Sequence, residues 1–465
     1  MYVFGVVMAI TCLGYLLPYN AWAVDPLYED SLENVLREKG VISKEDWVRI
    51  EAAQEKEAHD LSKRMDQEFP IGIGYGRSGF ELKTKDGKFA TQLQWRFQGR
   101  WSYPTREDPI SFADFNTDPQ STFELRRVRM KIGGHGYQPW IKYYFEVDLQ
   151  STADAGGSAG STRLIDWRIS LERFKFLSLQ IGQWKIDYNR ERRDSSGNQQ
   201  FVERSIVNEI FTIDRQVGAM LYGHLAPGTF FDSRYYAGVF TGSGRGEAND
   251  DANMMYFGRY QWNFLGRDLK WSQSDVEYHE QPTGSLAFGA YTTIGKCTRW
   301  SSSGCGTLPE PNSAGLAYTP DSAAGAGQYR VQGMVEEFAF KWRGLSIQHE
   351  YHWKEVKDNS FPEGAPGYKT NMMGSYSQIG YFPHYLIPAI PKPLEVAFRY
   401  AFVDPNVSAP NDRRQEYTTA INWFFAGHKN KLTLDGSWLT LANPSPGGGQ
   451  NQHEQRIRLQ WDVSF

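Results

Sequence analysis

"FATQLQWRFQGRW", residues 89–101, places Phe89, Leu93, Trp95, Phe97 and Trp101 at odd positions and Gln92, Gln94, Arg96, Gln98 and Arg100 at even ones. Successive side chains of a strand point to opposite faces, so this stretch is read as a strand with one apolar and one polar face. A soluble sandwich and a membrane barrel both produce that alternation, and the rest of the chain has to choose between them.

The pattern recurs from about residue 72 to the last residue. In "WIKYYFEVDLQ" (140–150), Ile141, Tyr143, Phe145, Val147 and Leu149 oppose Lys142, Tyr144, Glu146, Asp148 and Gln150. In "PLEVAFRYAF" (393–402), Leu394, Val396, Phe398, Tyr400 and Phe402 oppose Glu395, Ala397 and Arg399. In "RIRLQWDVSF" (456–465), Ile457, Leu459, Trp461, Val463 and Phe465 oppose Arg458, Gln460, Asp462 and Ser464. About sixteen such segments of about ten residues follow one another, the length a tilted strand needs to cross the hydrocarbon layer. The links between them alternate too. Short ones (86–88, 135–139, 265–268, 343–344, 427–430) take turns with long polar ones (102–120, 151–163, 242–252, 294–329, 355–369, 403–412, 441–452). Outer-membrane barrels have this asymmetry, and sandwiches have no reason for it. Trp101, Trp140, Trp262, Trp342 and Trp353, near strand ends, suit interfacial girdles. The expected fold is all-β, a transmembrane antiparallel β-barrel of about 16 strands with a short N-terminal helical segment. A chain that is 40% hydrophobic yet 15% aromatic, with 45 glycines, fits half-wet strands. Its net charge of −4 gives no field to attract nucleic acid.

Ahead of the barrel, "VFGVVMAITCLGYLL" (3–17) is an apolar run followed by Pro18 and by Ala21-Trp22-Ala23, a small-x-small cleavage pattern, so residues 1–23 are read as a secretory leader. No Lys or Arg precedes the run, and a transmembrane anchor is the alternative reading. Residues 24–70 are charged and rich in helix formers. Leu32, Val35 and Leu36 make a narrow apolar stripe and Gly40 stops it. Ser43 with Asp46 resembles a capping box that opens a second helix through Trp47, Ile50 and Ala53. So narrow a stripe implies a partner, either its own copies in a coiled coil or the rest of the protein. The barrel domain is then 71–465.

Few motifs point to chemistry. "GYGRSG" (74–79) has a dinucleotide-binding glycine spacing, but a strand follows it, so it is read as a flexible lead into the first strand. His349 and His352 in "HEYH" fall on opposite faces of a strand and cannot share a metal. There is no nucleophile elbow and no His-Glu-x-x-His, so no enzyme, metal or cofactor is expected. An outer-membrane hydrolase and a structural barrel that tethers the envelope are the competing function classes, and conduction by the purified protein separates a channel from both. Cys297 and Cys305 in "CTRWSSSGC" are expected to form a loop disulfide in an oxidising compartment. A metal pair there lacks nearby His or further Cys.

The remaining signal is basic. In "ELRRVRMKI" (124–132), Leu125 is apolar at an odd position whereas Val128, Met130 and Ile132 are apolar at even ones. A bulge at Arg126-Arg127 reconciles the two phases and sends Arg127, Arg129 and Lys131 into the lumen in a row. Arg168 and Arg399 are further candidates on the barrel wall. "NRERRDSSGNQQFVERS" (189–205) adds Arg190, Arg192, Arg193 and Arg204 between two strands, which taken alone reads as a solvated loop.

Most of residues 120–465 resembles the phosphate-selective porin O and P family. "FELRRVRMKIGG", "LQIGQWK", "FVERS", "DRQVGAMLYG", "YYAGVFTGSG", "FGRYQWNF", "SQIGYF" and "LEVAFRYAFVDP" occur in the family's order, and the ending on Phe465 is similar to the C-terminal signature of bacterial outer-membrane barrels. The resemblance implies a homotrimeric porin in the outer membrane of a Gram-negative-type bacterium. Its third long loop would fold inward to narrow the pore, and basic side chains would draw anions through. The loop after "GQWK" takes that place, which makes Arg190, Arg192 and Arg193 candidates for contact with a passing anion. Some relatives carry a periplasmic helical segment, as 24–70 would be. Where the family commonly has a Pro-Phe pair after this element, the chain has Ile186-Asp187-Tyr188, and Glu146, Asp148, Asp166, Glu172 and Glu395 share the inferred lumen with the cations. The implied function is passive diffusion of small anions, phosphate or polyphosphate among them, with membrane lipid as the other partner. A guanidinium can meet an oxyanion with two hydrogen bonds, and pore binding has to stay weak enough to release it.

Overall fold

The structure is a computed structural model, and it describes residues 39–68, 71–76, 79–104, 120–149, 162–249, 251–301, 304–306, 324–442 and 451–465. The leader expected at 1–23 and the helix expected ahead of Gly40 lie outside the described residues. The chain divides into two compact units at Ile71 and Gly72.

In the first unit, α1 (Lys44–Glu68) starts where the capping signal stands. Ser43 Oγ accepts from Asp46 N at 3.1 Å, Ser43 N donates to Asp46 Oδ2 at 3.4 Å, and Gly40 turns the chain just ahead with φ +68°. The reciprocal pair satisfies two backbone donors that the helix itself leaves without a partner.

The second unit is built from strands. In chain order they are β1 (Ile71–Gly76), β2 (Gly79–Thr84), β3 (Ala90–Tyr103), β4 (Thr122–Gly136), β5 (Gln138–Asp148), β6 (Arg163–Phe174), β7 (Leu177–Lys185), β8 (Arg215–Leu225), β9 (Ser233–Phe240) and β10 (Met255–Trp262). There follow β11 (Thr283–Gly295), β12 (Arg299–Ser301), β13 (Gly304–Gly306), β14 (Tyr329–Trp342), β15 (Leu345–Asp358), β16 (Lys369–Tyr381), β17 (Leu394–Asp404), β18 (Arg414–Phe424), β19 (Asn430–Leu441) and β20 (Gln452–Ser464). From β3 to β20, with β12 and β13 set aside, each strand pairs antiparallel with the next. β20 then returns to β3, from Ile457↔Tyr103 to Ser464↔Arg96, and closes a barrel of 16 strands. Closure is what a bilayer demands, because no ladder N–H or C=O is left facing lipid.

Side-chain alternation is inside out relative to a soluble protein. Phe97, Leu125, Ile169, Ile181, Phe288, Phe398 and Trp461 stay exposed on the outer wall, while Arg96, Gln98, Arg100, Glu395, Arg399, Arg458 and Asp462 are buried within. Lipid covers the first set and the lumen holds the second. The broken phase of β4 is resolved as its residues require: Gln98 pairs with Arg127 and Gly99 with Leu125, so Arg126 is the bulged residue.

Two expectations are corrected. "GYGRSG" is not a flexible lead: Gly74–Gly76 belong to β1, and Gly79 opens β2, which pairs with β1 and with Ala90–Leu93 of β3. Gly79 sits beside Phe465, whose backbone pairs with that of Trp95; with φ +94° and the Leu93 carbonyl against it, the position has no room for a Cβ. The link read as 265–268 is also far longer. β10 ends at Trp262 and β11 begins at Thr283. The alternating residues between them find partners other than a ladder: Asp275 Oδ2 accepts from Gly344 N at 2.8 Å, and Ser274 Oγ donates to Glu395 Oε2 at 2.9 Å.

In the link between β11 and β14, Cys297 and Cys305 are bonded across the small β12–β13 hairpin, their Cα atoms 5.5 Å apart. Trp300 of that hairpin is buried and donates to Gly242 O at 2.6 Å. Non-reducing mass spectrometry of the mature protein is expected to recover the two cysteines on joined peptides. Free thiols at both positions would overturn the pairing.

Candidate functional site

Between Lys185 and Arg215 the chain turns into the barrel, and most of residues 186–214 are buried there. This third loop holds two single turns, α2 (Arg190–Arg193) and α3 (Asn208–Phe211). A segment inside the lumen has to find partners for its backbone, and this one finds many of them on one wall. Asn189 Nδ2 and Glu191 N donate to Glu350 at 2.9 and 2.6 Å, and Gln200 Nε2 donates to Glu395 at 2.8 Å. Val202 N donates to Asp435 at 3.0 Å and Ile206 N to Glu416 at 2.9 Å, while Lys354 Nζ donates to Ile210 O at 2.6 Å. These partners stand on β15, β17, β18 and β19. Tyr188, Ile206, Ile210 and Phe211 add an apolar contact with Val335, Val356 and Tyr376. At about 1 kcal/mol per hydrogen bond, and more for charged ones, the loop is firmly seated.

A second anchor lies on β3 and β4. Arg100, Arg126 and Arg127 converge on Glu203 at 2.6, 3.2 and 3.3 Å. Burial pushes the Glu203 carboxyl up, but the three guanidiniums, Arg127 foremost, outweigh it and hold it well below the ordinary carboxylate range.

What stays open is the side toward β4–β7. A neck of about 110 Å³ is lined by Arg129, Lys131, Tyr144, Glu146, Asp166, Arg168, Trp184, Lys185, Arg193 and Ser195. Toward the short-turn end it borders a cavity of about 750 Å³ that shares Lys131, Tyr144, Arg168 and Arg193 with it. A further cavity of about 1190 Å³ lies between the third loop and the 425–429 turn. In the neck five cations, Arg129, Lys131, Arg168, Lys185 and Arg193, face two carboxylates. Arg129 is bonded to Glu146 and Asp148 at 3.0 Å each, and Arg168 pairs with Asp166 at 3.3 Å and lies 4.2 Å over the Tyr144 ring. Lys185 donates to the Arg192 and Asp194 carbonyls at 3.4 and 3.2 Å. Among the described residues no hydrogen bond or ion pair ties the Lys131 ammonium.

The eight basic residues that the sequence offers as contacts for a passing anion fall into two groups, while Arg204 braces the third loop from within by donating to the Glu191 and Asp194 carbonyls at 2.9 and 2.7 Å. Arg129, Lys131, Arg168 and Arg193 line the neck. The other four line none of the three cavities and brace the loop or the wall instead. Arg127 bonds to Gln98 and Glu203, and Arg399 is held by Glu416 at 2.9 Å and lies 4.3 Å over Phe201. Arg192 is paired with Asp214 at 3.0 Å, and the buried Arg190 donates to the Lys270 carbonyl. Parity along a strand tells which face a cation takes, but height and partner decide whether it meets water. Sequence reasoning misses Lys185 and Trp184, although both stand in "LQIGQWK"; the usable signal is a lysine at the last pair of a strand that runs straight into the inward loop. The departure at Ile186-Asp187-Tyr188 has a role too. Asp187 pairs with Arg193, and Tyr188 packs edge-on against Tyr291 at 5.1 Å.

A sheet closed on itself with its apolar face outward belongs in a bilayer, and a polar lumen that keeps a narrow open side passes solutes by diffusion. That is the build of a porin of the Gram-negative outer membrane. More particularly, the family model of phosphate-selective porin O and P matches residues 108–462, well over half of the sequence, and the chain belongs to that family. Solved structures of similar fold include the outer membrane channel DcaP of Acinetobacter baumannii, at 11% identity and a TM-score of 0.50, covering 82% of this chain and 99% of that one. The anion-selective porin from Comamonas acidovorans is similar at 9% identity and a TM-score of 0.52, covering 81% of this chain and 100% of that one. At these identities the likeness shows the fold. No curated protein matches the chain.

Proposed function

We propose that this porin is a passive channel that prefers small anions, with the neck as its selectivity region and the third loop as its constriction. The observation that carries the reading is the surplus of five cations over two carboxylates in a neck of about 110 Å³. Low-dielectric walls focus such a charge and raise the local concentration of anions, and the interleaved carboxylates keep each contact weak enough to release. Family membership makes inorganic phosphate and polyphosphate the first solutes to try. Arg129 and Arg168 already commit N–H groups to Glu146, Asp148 and Asp166, which favours transient contact over a tight phosphate site. We assign a homotrimer on the same family grounds and place residues 24–70 in the periplasm. Val48 and Leu61 of α1 are exposed and would pair with other copies.

The test is a planar-bilayer recording of the purified barrel under a KCl gradient. The reversal potential should carry the sign of anion preference, and replacing chloride with phosphate should leave a measurable current. A barrel that never conducts, or that prefers cations, sinks the reading.

A further inference from the structure

One part of the lumen has no role in the reading above. The link 263–282 leaves the short-turn end and enters the barrel from the side opposite to the third loop. Lys341 Nζ on β14 donates to Ser272 Oγ and Ser274 O at 3.0 and 2.8 Å, and Ser274 Oγ donates to Glu395 on β17 at 2.9 Å. From that anchorage it meets the third loop. Gln200 N donates to Gln273 Oε1 and Gln273 Nε2 to Gln199 Oε1, both at 2.8 Å, and Arg190 donates to the Lys270 carbonyl. Trp271 lies where the two loops meet. Three guanidiniums surround its ring: Arg259 at 4.7 Å from the ring centre, Arg190 at 5.5 Å and Arg193 at 5.8 Å. The indole lines both large cavities, and Arg193 lines the smaller of those and the neck.

We propose that Trp271 is a positioning residue that determines specificity: reaching in from the short-turn end, it holds the Arg193 guanidinium at the edge of the neck. The proposal rests on the anion-channel reading. Asp187 is the ionic partner of Arg193 among the described residues, and it pulls the guanidinium toward β7 while cancelling part of its field. An aromatic face restrains a cation through its quadrupole and leaves the charge intact. A second carboxylate in that place would hold Arg193 as well and neutralise it. The same ring relieves the crowding of Arg190, Arg193 and Arg259, of which only Arg259 has a two-pronged carboxylate partner, Glu337 at 3.1 and 2.7 Å.

The experiment compares single-channel conductance and the Cl⁻/K⁺ permeability ratio of the full-length protein and five variants. Trp271→Ala is expected to raise conductance and to lower the ratio about twofold, the loss of a weak cation–π restraint. Trp271→Phe keeps a ring face and should keep most of the ratio. Trp271→Leu fills space without a ring, so its ratio should fall as in the alanine variant while conductance stays near the parent's; it also serves if the alanine variant fails to insert. Combining Trp271→Ala with Arg193→Gln should widen the pore but leave the ratio where Arg193→Gln alone puts it, because the ring acts on selectivity through that guanidinium. A ring that merely fills space would change conductance in both backgrounds and the ratio in neither, and that result overturns the proposal. A parent channel with no anion preference overturns the underlying reading and this proposal with it, whereas an anion-preferring parent matched by Trp271→Leu overturns the role of Trp271 alone.

Discussion

Exchanging Lys131, Arg168 and Arg193 together for glutamate should reverse the sign of the reversal potential under a KCl gradient, from anion to cation preference. All three line both the neck and the adjoining cavity, and each exchange alters the local charge by two units. Two unit charges 8 Å apart interact with about 2 kcal/mol at an effective dielectric constant near 20, but only about 0.5 kcal/mol in bulk water. On an exposed loop the change would fade within about 8 Å at physiological salt. Asp166 and Asp187, which now face Arg168 and Arg193, would acquire neighbours of like charge and deepen the shift. The comparison with Arg190→Glu plus Arg192→Glu separates position from loop charge. Those two residues stand in the same turn but line no part of the neck, and Arg192 is buried against Asp214. Breaking a buried pair costs about 3–5 kcal/mol. The double variant should therefore show poor yield or a loosened, noisier pore rather than a clean exchange of selectivity. A triple variant that kept the parent's anion preference would move the filter out of the neck.

The barrel is legible in the sequence because lipid imposes a rule that one strand can record by itself. Every second side chain must be apolar, and any extra residue shows up as a change of phase; Leu125 against Val128 is enough to place a bulge at Arg126-Arg127, and the register between β3 and β4 then assigns it to Arg126. The start of α1 is legible for a similar reason, since Ser43 and Asp46 need only each other. The lumen is different. Whether a basic residue conducts or braces depends on what reaches it from loops far away in sequence. Arg127 and Arg129 share a face of β4, yet Glu203 from the third loop claims the first, and Glu146 and Asp148 from β5 leave the second at the neck. The link 263–282 hides for a related reason: its alternation resembles a strand, but its side chains are committed to β14, β17 and the third loop. The partners of an inward loop are set by the whole wall around it, and no local pattern encodes that.

Replacing residues 188–212 with a short Gly-Ser link should raise single-channel conductance several-fold and leave little charge preference. β7 and β8 pair up to Lys185↔Arg215, so the ends to be joined are already neighbours, and every strand retains its ladder partners without the loop. A barrel of this strand number encloses an aqueous channel wherever it is not filled, and the link 263–282, anchored on β14 and β17, would be the filling that remains. Glu350, Glu395, Glu416, Asp435 and Lys354 would lose their loop partners, but they would then face water rather than a dry interior, so the penalty for an unpaired buried charge does not apply. The cost falls instead on Val335, Val356 and Tyr376, whose apolar cover is the loop itself, and it should appear as a lower thermal stability with insertion preserved. A milder variant, Glu416→Gln with Asp435→Asn, weakens two anchors and leaves the loop in place; it should give an intermediate conductance with rapid excursions as the loop partly lifts. Conductance unchanged in both variants would mean that the current does not pass this loop, and the constriction would have to be sought at the link 263–282.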